Sequence, residues 1–174
     1  MKKWMKVASL WREVVIFHKV FHFSTKIRIR EEESFMFLGE YRPTVDAKGR
    51  FFMPAKYRDE LGNAFVITKG TDSCLSVYPL PYWETYVQKI EALPVAQAVK
   101  IRRFVFANAC DVEPDAQGRV LLSADLRAYA GIGKNAVVLG LGSYLEIWSE
   151  DAWAKQNGTD DAAEVQSLML SLGF

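Results

Sequence analysis

Val45-Asp46-Ala47-Lys48-Gly49-Arg50-Phe51-Phe52-Met53-Pro54-Ala55-Lys56-Tyr57-Arg58 returns 69 residues later as Pro114-Asp115-Ala116-Gln117-Gly118-Arg119-Val120-Leu121-Leu122-Ser123-Ala124-Asp125-Leu126-Arg127. Asp, Ala, Gly, Arg, the later Ala and the later Arg all recur at that one offset. The likeness continues downstream. Asn63-Ala64-Phe65-Val66-Ile67 is echoed by Asn135-Ala136-Val137-Val138-Leu139, and Leu75-Ser76-Val77-Tyr78 with Trp83 by Leu145-Glu146-Ile147-Trp148 with Trp153. A repeat of this kind sets the organisation of a chain before any element is assigned. Small insertions separate the blocks, as drifting loop lengths after a duplication would produce.

Each copy parses as the same small β-hairpin module. A strand ends at Val45, and Asp-Ala-Lys-Gly makes the turn. Gly49 suits the positive-φ position that closes a hairpin loop, and Asp46 can bond the loop amides as an Asx-turn. Arg50 starts the returning strand, followed by apolar Phe51-Phe52-Met53. A short helix comes next, with Pro54 in its first turn and Gly62 as its stop. In the second copy Ser123 is the N-cap and Gly131 the stop. Strands are expected over 65–68 and 75–78, mirrored by 137–139 and 145–148.

Helices fill the remainder. Residues 81–93 place Trp83, Tyr86, Ile90 and Leu93 at helical spacing, and Pro94 ends the run. Residues 95–107 form a second helix carrying Lys100, Arg102 and Arg103, read as a solvated face. Helices over 151–156 and 161–172 close the chain. In the last, Val165, Leu168, Met169 and Leu172 form an apolar stripe suited to docking on the protein or on a subunit.

Composition narrows the function classes. With 174 residues, half hydrophobic and a quarter charged, the chain can bury a real core. A formal net charge of +1 argues against a protein that coats nucleic acid through bulk charge. Cys74 and Cys110 lie far apart in no ligand pattern and read as two buried thiols in a reducing cytoplasm. Both histidines, His18 and His22, precede residue 36, so the rest of the chain has no Ser-His-Asp or Cys-His device. It also has no Gly-rich phosphate loop and no metal-ligand spacing. No enzyme, cofactor or metal is expected.

Residues 1–35 differ in character from the rest of the chain. They carry eight Lys+Arg against four Glu, whereas residues 36–174 carry 14 Lys+Arg against 17 Asp+Glu. Their apolar stretch is broken by Arg12, Glu13, His18 and Lys19, so it reads neither as a signal peptide nor as a membrane span. Arg30-Glu31-Glu32-Glu33 requires purine-rich codons just upstream of Met36, where a bacterial ribosome-binding site belongs. The expectation is that Met36 is the start and residues 1–35 a translated leader; a genuine, partly helical extension is the alternative.

Two readings of the repeated loop compete. Asp46 and Arg50, like Asp115 and Arg119, could form a local ion pair in an ordinary tight turn. Alternatively Arg projects to contact an anion while Asp fixes its direction. Arg suits that role because its planar fork binds phosphate or a guanine edge bidentately. A turn needs Asp and Gly but not a recurrent Arg, which favours the second reading without deciding it.

Met36-Phe37-Leu38-Gly39-Glu40-Tyr41 followed by Asp46-Ala47-Lys48-Gly49-Arg50 resembles the opening of MraZ proteins. Tyr78-Pro79-Leu80-Pro81-Tyr82-Trp83, Asp115 to Arg119 and Leu145-Glu146-Ile147-Trp148 resemble later parts of the same family. The resemblance covers nearly all of residues 36–174. It implies an α+β, β-rich fold in which tandem AbrB-like swapped-hairpin modules, 36–107 and 108–174, form a pseudo-dimeric β-barrel flanked by helices. It further implies a ring-forming homo-oligomer, cytoplasmic and nucleoid-associated. Such a regulator binds short direct repeats in double-stranded DNA at its own promoter and the division and cell-wall gene cluster, usually as a repressor. Arg50, Arg119, Lys48 and Gln117 would contact DNA, with Asp46, Asp115, Gly49 and Gly118 orienting the loops. Lys48 becomes Gln117 in the second loop, so the first is electrostatically stronger. Arg58 and Arg127 are expected to make ion pairs within the module, and Arg42 to support a phosphate contact. The rival reading is an oligomeric protein-interaction module of the same fold.

Overall fold

The computed structural model describes residues 36–159 and 162–174; the expectations for residues 1–35 lie outside them. The first copy supplies β1 (Phe37–Tyr41), β2 (Arg50–Phe52), α1 (Ala55–Leu61), β3 (Phe65–Lys69) and β4 (Leu75–Pro79), and α2 (Leu80–Glu91) and α3 (Val95–Phe106) follow. The second supplies β5 (Cys110–Val112), β6 (Arg119–Leu121), α4 (Ala124–Tyr129), β7 (Ala136–Gly142) and β8 (Leu145–Ser149), and α5 (Glu150–Thr159) and α6 (Ala162–Leu172) complete the chain. The fold is mixed α/β.

Local signals explain the short helices. Ser123 caps α4, its Oγ accepting the Leu126 amide at 3.3 Å. Gly62 ends α1 at φ 79°, and Gly131 turns the chain after α4 at φ 62°. Pro54 stands at the N-cap of α1 rather than inside its first turn. Pro94 both closes the α2 run and precedes α3, which begins at Val95.

Pairing departs from two simple hairpins. Six strands form one antiparallel sheet in the order β1-β7-β8-β4-β3-β5, and β2 and β6 form a separate two-stranded ribbon. The first strand of each copy therefore lies beside the third strand of the other: β1 on β7, and β5 on β3. The arm leaving each Asp-x-x-x-Arg loop likewise pairs with its counterpart in the other copy rather than with the strand before the loop. That preceding strand ends at Tyr41, not Val45. Pro43 has no N–H to give to a ladder, and only the isolated Thr44–Asn135 bridge continues the pairing.

Equivalent residues face each other at two places, Phe51 opposite Val120 in the ribbon and Ser76 opposite Glu146 in the sheet. That is what a local two-fold axis through a single chain requires. Ribbon and sheet share one core, in which Phe51, Val120 and Leu122 pack with Phe37, Phe65, Ile67, Leu145 and Ile147. Tyr57 of α1 anchors β1 from this core, its hydroxyl donating to the Leu38 and Gly39 carbonyls at 3.0 and 2.9 Å.

Cys74 is buried and its thiol is pushed up to about 12, chiefly by burial, whereas Cys110 is only half-buried. The α6 stripe is exposed throughout, from Val165 at 48% to Leu172 at 67%, so it does not dock on the other described residues of its own subunit. Among the described residues, no helix is long and apolar enough to cross a membrane, and no cluster of His, Cys, Asp and Glu could hold a metal.

Candidate nucleic-acid interface

Asp46 organises the first loop through both carboxylate oxygens. Its Oδ1 accepts the amides of Lys48 and Arg50, each at 2.9 Å. Its Oδ2 accepts Arg50 Nε at 2.9 Å and lies 2.8 Å from Nη2. The Gly49 amide donates to the Asp46 carbonyl at 2.9 Å, and the Asp46 amide to the Arg50 carbonyl at 2.8 Å. The Asx-turn and the ion pair are thus the same residue.

The second loop repeats this geometry. Asp115 Oδ1 accepts the Gln117 and Arg119 amides at 3.0 and 2.9 Å, and its Oδ2 takes Nε and Nη2 of Arg119, each at 2.7 Å. Gly49 and Gly118 sit at φ 84° and 77°, the left-handed region where a Cβ is penalised.

Electrostatics hold the pairs. The Arg50 amide, then its guanidinium, bring the Asp46 carboxyl down to about 2 from the usual 3.8. The Arg119 guanidinium, then its amide, lower Asp115 in the same direction. Each arginine spends its Nε–Nη2 edge on the aspartate. Of the five donors of a guanidinium, the Nη1 side is left to meet a partner.

The ribbon places both arginines on one face. Phe51 and Val120 point into the core, so Arg50, Phe52, Arg119 and Leu121 share the other side, with Arg50 opposite Leu121 and Phe52 opposite Arg119. Arg50 and Arg119 are separated by two residues along the ribbon, roughly 7 Å. Phe52 and Leu121 are 56% and 55% exposed. Lys48 and Gln117 stand exposed at the loop tips, with no side-chain bond among the described residues. All eight residues singled out for the loops are therefore gathered around one short ribbon.

Other expectations need correction. Arg42 donates to Glu40 at 2.6 Å and to Glu150 at 3.2 Å, which places it in an exposed carboxylate network. Arg58 and Arg127 make no ion pair among the described residues. Each lies against the loop glycine of the opposite copy: a Cβ at Gly118 would come 2.7 Å from Arg58 Cζ, and one at Gly49 would come 2.7 Å from Arg127 Nε. The signal was present in the sequence, since both recur at the same offset as Arg50 and Arg119, but offset alone does not say which copy they touch. A larger cavity, of about 640 Å³, lies away from the loops beside Tyr78, Tyr82, Tyr86 and Tyr144. Burial raises the Tyr78 hydroxyl, which suits packing rather than proton transfer.

A family model for MraZ protein, described as antitoxin-like, matches the chain twice, over residues 36–102 and 105–168. The chain belongs to the MraZ family. A protein of Pelotomaculum thermopropionicum named transcriptional regulator MraZ is 47% identical over 125 residues, covering 71% of this chain and 86% of that protein. Proteins of the same name from Heliobacterium modesticaldum and Desulfitobacterium hafniense are 48% and 45% identical, covering 70% and 80% of this chain and 87% and 100% of theirs. Among MraZ proteins this chain stands with transcription regulators, not with enzymes.

Proposed function

We propose that this MraZ protein regulates transcription by binding double-stranded DNA through its two Asp-x-x-x-Arg loops. One observation carries the reading: two equivalent arginines, each aligned by an aspartate, share one exposed face of a two-stranded ribbon. A β-ribbon of this width enters the major groove, and an aligned guanidinium suits a guanine edge or a phosphate. Phe52 and Leu121 on the same face suit thymine methyl groups. Lys48 adds a cation to the first loop, and Gln117 leaves the second able to hydrogen-bond a base edge without one.

The finer reading follows the family resemblance. The target is a set of short direct repeats upstream of its own gene and of a division and cell-wall gene cluster, normally repressed. A homo-oligomeric ring presents many such loops to successive repeats, which raises avidity through effective concentration and reconciles specific binding with a net charge near zero. The exposed apolar residues of α6 are consistent with self-association. Exchanged strands about a local two-fold axis support an AbrB-like pseudo-dimeric barrel.

Footprinting of the purified protein on its own upstream DNA tests the reading. Protection of regularly spaced repeats is expected. Arg50→Ala and Arg119→Ala together should weaken binding by about 1–3 kcal/mol per lost bidentate contact, the first more than the second. Unchanged protection by the double variant would remove the loops from the interface, and absence of protection by the unmodified protein would favour the protein-interaction reading.

A further inference from the structure

Each loop borders a crevice whose other wall comes from the opposite copy, and the two crevices are equivalent by position but not by charge. The first, of about 500 Å³, is lined by Thr44, Asp46, Arg127 and Lys134 among others. The second, of about 380 Å³, is lined by Arg58, Asp59, Gly62, Glu113 and Asp115 among others. Glu113 takes the position that Thr44 holds in the first copy, 69 residues earlier. Gly62 precedes Asn63-Ala64 as Lys134 precedes Asn135-Ala136. The same crevice has been built twice and made cationic once.

We infer that the first crevice is a subsite for a DNA backbone phosphate, held by Arg127 and Lys134 of the second copy, and that the second crevice is not. The inference rests on the DNA-binding reading of the loops and deepens it. In the first crevice the only acid among the described lining residues, Asp46, is already neutralised by Arg50 at 2.8 Å, so Arg127 and Lys134 leave an uncompensated positive charge. In the second, Asp115 is likewise neutralised by Arg119, but Asp59 and Glu113 outweigh the single Arg58.

Arg127 packs against the first loop. Leu122 O and Arg127 Nε would lie 2.8 and 2.7 Å from a Cβ at Gly49, so the guanidinium rests on the loop backbone. Its Nε is buried and has no hydrogen-bond partner among the described residues, whereas Arg58 Nε donates to the Met53 carbonyl at 3.2 Å. Lys134 is exposed, and its own carbonyl accepts the Val45 amide at 2.8 Å, which ties its backbone to the segment entering the loop. A phosphodiester oxygen placed there would receive charge-assisted hydrogen bonds from two cations beside the Lys48/Arg50 loop. Pro114, the counterpart of Val45, has no amide to make the matching bond in the second copy. The first loop is thereby fixed on the backbone, while the second contributes only its tip and its arginine.

The test is a salt titration of the full chain on its upstream duplex and on an unrelated duplex. Lys134→Ala removes an exposed side chain without disturbing the loop. It should weaken both complexes by the same factor and flatten the slope of log affinity against log salt by about one. Arg127→Gln should act in the same direction. Glu113→Thr, which gives the second crevice the residue of the first, should strengthen binding. Failure of the unmodified protein to bind either duplex would sink the DNA reading and this inference with it. Firm binding with an unchanged affinity and salt slope in Lys134→Ala would overturn the subsite alone.

Discussion

At the residue level, Asp46 and Asp115 decide what the two arginines can do. A free arginine on a surface loop samples many rotamers, and ordering it on binding costs affinity. Here each guanidinium is already clamped along one edge by a carboxylate that also holds the loop amides. The titration of Asp46 is a direct readout of the clamp. Its carboxyl is lowered to about 2, so its contribution to the folded state is complete above the usual 3.8 and is lost as pH falls through about 2. An NMR titration of the Asp46 carboxyl carbon should show that depressed midpoint. A midpoint at the usual value would mean that Arg50 swings free and the loop is not organised in advance.

At the level of elements, the seat of β1 on β7 depends on the absence of a side chain. A Cβ at Gly140 would lie 2.5 Å from both the Leu38 nitrogen and the Phe37 carbonyl carbon, backbone atoms that cannot step aside. Gly140→Ala should therefore destabilise the protein by about 1–3 kcal/mol, the usual cost of overpacking, seen as a lower denaturation midpoint. An unchanged midpoint would mean that β1 is not held there. This contact was not legible in the sequence, whereas the elements themselves largely were. Turn glycines, the Ser123 cap and the helical spacing of Trp83, Tyr86 and Ile90 are local signals that act within a few residues. The partner of a strand is a long-range choice. Phe51 is buried and Arg50 and Phe52 face outward whether β2 pairs with the strand before its loop or with β6, so alternation cannot tell the two apart. The loop chemistry could be read for the same reason that the elements could, since Asp46 and Arg50 act on each other. The contacts of Arg58 with Gly118 and of Arg127 with Gly49 cross between copies, which no local pattern encodes.

At the level of the molecule, repetition does not mean independence. Each copy lends its first strand to the other, and both contribute to a single core. Residues 36–107 and 108–174 expressed separately should each remain unfolded by circular dichroism and amide exchange. Co-expressed, they should recover a soluble complex with the native far-ultraviolet spectrum. A stably folded single half would contradict the exchanged pairing.

The same exchange has a consequence during synthesis. Phe37 is among the earliest of these residues to leave the ribosome, yet its ladder partner is Gly142, made near the end. Throughout elongation the nascent chain carries an unpaired edge strand, with Leu38 ready to adhere to a neighbouring polysome's copy of itself. Maturation of this regulator must therefore wait for termination, and its yield should respond to chaperone supply and to the rate at which the second copy is translated.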